Sequence, residues 1–178
     1  MMKATLIFLF IIISFTSLAQ SQKVNPVIKD FGAIYEIPEA TVKPDPNQEY
    51  RIVIDVFGGT VDKSLLDRSL NNVARMLNLH AVGGVPPEKM DVVLALHGQS
   101  TYSTLDDKTY EERFGNPNPN AELMKALKSA GVKITVCGQS LIGRNFKPDQ
   151  LLDEVEVATS MLTTVTHYQN LGYMMLRF

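Results

Sequence analysis

The 178-residue chain has one cysteine, Cys137, and no tryptophan. A single cysteine excludes an intramolecular disulfide and any Cys-x-x-Cys redox motif. The three histidines, His80, His97 and His167, are scattered without metal-ligand spacing, so neither a metal nor a cofactor is expected. Charge is nearly balanced, 17 Lys+Arg against 19 Asp+Glu for a net of −2, and no basic block occurs. That pattern argues against nucleic acid and against a membrane surface as partner. Beyond Phe15 no apolar run approaches the roughly 18–20 residues of a spanning helix. Low-complexity segments are missing too, and nothing marks a second folded domain.

What is present begins with an export pattern. Lys3 supplies a small positive region, Leu6–Phe15 an apolar run, and Ser17-Leu18-Ala19 a small-x-small cleavage site. Residues 1–19 therefore read as a signal peptide, with Gln20 starting a mature chain in the periplasm or outside the cell. No cysteine follows the run to carry a lipid, so no membrane attachment is expected after its removal. An exported chain with one cysteine must rely on an ordinary core, and its length suffices for one. Cys137 is then a buried small hydrophobe, a free reactive thiol or an intermolecular link. The eight methionines read as core filling.

Residues 20–48 hold Pro26, Pro38, Pro44 and Pro46 and form an irregular leader that packs along the side of a domain spanning 49–178. Tyr50–Phe57 is the first core strand, ended by Gly58-Gly59. Thr60 or Asp62 caps a helix through Leu66, Leu70, Val73 and Leu77. Asp91–His97 follows as a nearly all-apolar strand, buried on both faces. A helix is expected from about Thr104 to Phe114, and another begins with Asn118 as N-cap and Pro119 as first residue. Gly131 ends it and delivers the strand Val132–Cys137. Val155–Ala158 is a fourth strand, and Met161–Leu171 a last helix with Leu162, Val165 and Gln169 on one side. Tyr173–Phe178 closes the chain. Five strands alternating with helices give an α/β fold, a parallel sheet covered on both faces.

Two strand ends echo each other: His97-Gly98-Gln99-Ser100 and Cys137-Gly138-Gln139-Ser140. In open α/β sheets ligands bind outside the carboxyl ends of the strands. Cys137 and His97 are therefore the candidate catalytic residues, and Gly98, Gln99, Gly138, Gln139, Ser140 and Arg144 the candidate ligand-binding ones. Backbone N–H groups of a glycine turn would stabilise a thiolate, and Arg144 or His97 would lower its pKa further. The competing readings are a buried structural cysteine and, for Arg144, a solvated loop charge. A cysteine hydrolase would also need an orienting acid. Asp106 and Asp107 are too loosely placed for that role. His80 and His167 read as structural or solvated.

Ala74–His80, Val92–Gly98, Asn116–Asn120, Gly131–Ser140 and Gln169–Tyr173, in this order and spacing, resemble the DsrE/DsrF-like family with its YchN-type fold. The resemblance runs from about Tyr50 to the C-terminus. It implies a three-layer α/β/α domain with a mainly parallel five-stranded sheet, assembling into trimers or hexamers. It also implies, for Cys137 alone, sulfur relay as a persulfide between a thiol or sulfane-sulfur donor and an acceptor. Export sets this chain apart from cytoplasmic relay proteins. The alternative is a non-catalytic oligomeric module of the same fold that binds a small ligand.

Overall fold

The computed structural model describes residues 22–178. The predicted signal peptide and the cleavage point at Gln20 lie outside them. A minimal antiparallel pair comes first, β1 (Lys23–Val24) with β2 (Ile34–Tyr35). The β-branched runs then form β3 (Tyr50–Val56), β4 (Met90–Leu96), β5 (Lys133–Cys137), β6 (Val155–Ala158) and β7 (Met174–Arg177). These five make one sheet in the order β6-β5-β4-β3-β7, every pair parallel. β3 and β4 occupy its interior and are buried along nearly their whole length, as strands covered on both faces should be.

Five helices connect the strands: α1 (Arg68–Val82), α2 (Asp107–Phe114), α3 (Ala121–Ser129), α4 (Gly138–Ile142) and α5 (Met161–Asn170). α1 and α3 bury Leu70, Val73, Leu77, Leu123, Met124 and Leu127 against Ile52, Ile54, Val92, Leu94 and Ile134. On the opposite face α5 packs Met161, Val165 and Tyr168 against Val53, Val93 and Ala95. The result is a three-layer α/β/α domain. Side chains alternate along a strand. Asp55, two residues after Val53, therefore faces the α5 side.

Helix starts differ from the sequence reading for identifiable reasons. Asp62 closes a local turn, accepting from the Ser64 N–H and hydroxyl, and Asp67 is the true N-cap of α1. Asp67 accepts from Ser69 N–H at 2.9 Å and from the Ser103 hydroxyl at 3.0 Å, a tertiary partner that spacing cannot reveal. α3 is preceded by Asn120, not Asn118. Asn118 is buried instead, donating to the carbonyls of Ser103 and Leu105 and accepting from Asn120 N–H. The helix expected from about Thr104 to Phe114 is α2, which starts later, at Asp107, because a 3-10 turn occupies Gly98–Thr104 and Leu105 then bridges Leu151. On α5, Leu162 is 68% exposed and Gln169 is exposed as well. Thr164 takes the inward place beside Val165, returning its hydroxyl to Ser160 O at 2.9 Å.

Two α1 side chains hold the leader: Asn71 accepts from Gly32 N–H at 2.9 Å, and Asn78 makes four bonds. Asn78, fully buried, accepts from the N–H groups of Val27 and Ile28 at 3.0 and 2.9 Å. It also donates to the carbonyls of Phe31 and Gly32 at 3.0 and 3.1 Å. Gly32 sits at φ +62, and a Cβ there would lie 2.4 Å from the Arg75 nitrogen, so only glycine fits. Replacing Asn78 by Ala strands these buried backbone groups, each costly when unpaired. We expect Asn78→Ala to lower unfolding stability by about 2–4 kcal/mol, read from the denaturant midpoint. A change under about 0.5 kcal/mol would mean that the leader is not clamped this way.

Candidate functional site

Parallel pairing sends the carboxyl end of every strand to one edge, and five side chains line it in strand order. Arg177 of β7 pairs in register with Asp55 of β3, and Asp55 with Ala95 of β4, two residues before His97. Leu96 pairs with Val136, and Cys137 of β5 with Ala158 of β6, two residues before Ser160. The row therefore reads Arg177, Asp55, His97, Cys137, Ser160.

His97 and Cys137 thus leave the same edge one strand apart. Their side chains have different partners. His97 Nε2 meets Asp55 Oδ1 at 2.6 Å, and Arg177 Nε lies 3.4 Å from Asp55 Oδ2. Phe57 leans against the imidazole with 5.1 Å between ring centroids. Among the described residues no direct hydrogen bond joins His97 to Cys137; the imidazole's hydrogen-bond partner is Asp55. Asp55 was missed as the histidine's acid. The signal was there: a carboxylate inside Ile52-Val53-Ile54-Asp55-Val56 is a buried charge that needs a partner. Asp106 and Asp107 are occupied in structure, by Thr109 N–H and Asn118 N–H.

Cys137 ends β5 and is the N-cap residue of α4. Gly138 opens a short helix there, where sequence suggested a turn. The thiol is 5% exposed. Ser160, itself the N-cap of α5, brings its Oγ to 3.9 Å from Sγ. Burial opposes ionisation of the thiol. Hydrogen bonds from Met161 N–H, from the Ser140 hydroxyl and N–H and from the Ser160 hydroxyl outweigh it, so the pKa falls below the ordinary cysteine value. Ser160 and Met161, the thiol's partners across β6, could not be found by local spacing.

The echoed motifs take different shapes. Gly98 has φ +56, and a Cβ on it would lie 2.6 Å from the Phe57 ring. Gln99 is exposed, and Ser100 is buried with its hydroxyl within hydrogen-bond reach of both Val56 O and His97 O. Gly138 needs glycine for a close approach: a Cβ would lie 2.9 Å from Ala158 O. Gln139 is exposed, while Ser140 reaches the thiol. Arg144 donates through Nη1 to Ser140 O at 3.2 Å and does not contact the sulfur directly among the described residues. His80 donates from Nδ1 to Met76 O and lies against the Tyr50 ring, and His167 is exposed on α5.

A family profile described as DsrE/DsrF-like matches residues 52–178. The chain belongs to the DsrE/DsrF-like family. Two solved structures agree with this DsrE/DsrF-like chain in fold. A protein of unknown function, MTH1491 from Methanobacterium thermoautotrophicum, is 18% identical with a TM-score of 0.56, over 73% of this chain and 100% of that one. The ychN protein from E. coli is 21% identical with a TM-score of 0.53, over 72% of this chain and 99% of that one. No curated protein sequence matches the chain.

A lowered thiol pKa keeps the thiolate, and hence alkylation, alive to lower pH. The rate of Cys137 alkylation against pH should therefore inflect below the roughly 8.5 of free cysteine. Ser140→Ala and Ser160→Ala should each raise the inflection, as each removes a donor to the thiolate. A wild-type inflection at or above the free value would show that burial wins.

Proposed function

We propose that this DsrE/DsrF-like protein carries sulfane sulfur as a persulfide on Cys137. The observation that carries the reading is the set of donors around Sγ, from Ser140, Ser160 and Met161, which favours the thiolate. The Cys137 thiolate attacks the terminal sulfur of a donor persulfide. A new S–S bond forms on Cys137, the donor's S–S bond breaks, and the donor leaves as its thiolate. No net oxidation occurs and no cofactor takes part. Transfer onward is the same exchange with an acceptor thiolate attacking the outer sulfur. Ser140, Ser160 and the Met161 N–H steady the charge on the sulfur in both states. His97, turned to Asp55, acts as a positioning residue for the strand end beside the thiol. Gly98, Gln99, Gly138 and Gln139 border the approach.

Assembly into a trimer or hexamer and export to the periplasm or beyond belong to the same proposal. The first is supported by the edge strand β7, where Met174, Met175 and Leu176 are all exposed. Export is supported by Lys3, Leu6–Phe15 and the Ser17-Leu18-Ala19 site. A second reading, a non-catalytic module in which Cys137 only lines a pocket, is favoured by the thiol's 5% exposure.

Incubating the mature protein with a persulfide donor and measuring intact mass separates the two. A gain of one sulfur atom, lost in Cys137→Ser and removed by a thiol acceptor, is the expected result. A wild-type mass that stays unchanged, with alkylation only after unfolding, would sink the carrier and leave the binding module.

A further inference from the structure

Tyr102 is the centre of a side-chain group that the thiol site does not use. Its ring centroid lies 5.4 Å from Lys63 Nζ, 5.2 Å from the Arg113 guanidinium carbon and 5.5 Å from that of Arg144. Phe114 and Phe146 meet the same ring edge-on, at 5.4 and 5.9 Å. Arg113 also lies 5.8 and 5.4 Å from those two rings. The members come from the loop after β3, the turn after β4, α2, and the loop after α4. These are connections on the carboxyl side of the sheet, where open α/β sheets take their ligands.

Three cations do not gather without a reason, since like charges repel. In a group built for stability, carboxylates would separate them. None of the three has a carboxylate at ion-pair distance among the described residues. Lys63 does act on the buried Asp67, but that carboxyl is already bonded to Ser69 N–H and the Ser103 hydroxyl. Neutral groups hold the cations instead. Lys63 Nζ donates to Thr60 O at 2.7 Å, and Arg144 Nη1 to Ser140 O at 3.2 Å. Arg113 is exposed at its place among the three rings, and Arg144 Nε is buried with no acceptor. Such contacts fix the positions of the charges without a direct ion pair. That is a preorganised anion site, whose ordering cost is met before the ligand arrives.

We infer that Lys63, Arg113 and Arg144, grouped around Tyr102, bind a small oxoanion of the phosphate or sulfate class, free or as the end group of a larger ligand. Guanidinium and ammonium donors make charge-assisted hydrogen bonds to such oxygens. The aromatic rings offer an apolar flank to whatever the anion is attached to. The site does not depend on sulfur transfer at Cys137, so either reading can fail alone.

The test is calorimetric titration of the mature chain with inorganic phosphate, inorganic sulfate and phenyl phosphate, against chloride at matched ionic strength. Saturable binding is expected, weakened about tenfold by Arg113→Gln and by Lys63→Gln, each removing one charge-assisted contact. Cys137→Ser should bind as the wild type does. Tighter binding of phenyl phosphate would identify an end group, and equal binding a free anion. Heats no different from chloride would overturn the site. So would full affinity in both variants with unchanged circular dichroism.

Discussion

Parallel pairing of β3, β4 and β5 is the constraint on which the rest depends. Parallel strands run the same way, so the chain must cross back after each one, and each crossover here contains helix. The helices cover both faces, which is why the central strands are free to be apolar throughout. The same topology gathers every strand's carboxyl end at one edge. Chemistry-bearing residues far apart in sequence, such as Asp55, His97 and Cys137, become neighbours there without any local motif linking them.

Two electrostatic arrangements share that edge, and they solve burial in opposite ways. Asp55 is 7% exposed and is matched on both oxygens, by a hydrogen bond with His97 on one and by the Arg177 cation on the other. A buried carboxylate is tolerable only with such partners. Cys137 has no cation in contact among the described residues and is supported by neutral donors, two hydroxyls and two N–H groups. Each neutral donor contributes less than an ion would. Four of them, directed at one sulfur and held by the starts of α4 and α5, together exceed the burial penalty.

The layers are unequal. The face under α1 and α3 holds most of the apolar core, and the leader closes over it through the four hydrogen bonds of Asn78. The α5 face has a far smaller cluster, and β7 beside it leaves Met174, Met175 and Leu176 exposed. Stability therefore resides on one side of the sheet. The other side supplies a thin cover, the edge that carries Cys137 and an unprotected strand.

The α/β class and a mainly parallel five-stranded sheet were legible in the chain itself, because strand-length apolar runs separated by helical spacing leave few other topologies, and the family was legible as a resemblance in the order and spacing of its motifs. Cys137 was legible too, as a lone thiol at a strand end before glycine. Partners were not. Asp67 outranks Asp62 as a helix cap because Ser103 reaches it from another segment, and Asn118 is buried because its amide nitrogen also serves two distant carbonyls. His97 turns to Asp55, and the thiol turns to Ser160 and Met161. Apolar periodicity is a property of neighbouring residues, so sequence carries it. Which polar group satisfies which is settled only when strands 40 residues or so apart lie side by side, and the tertiary structure alone decided that.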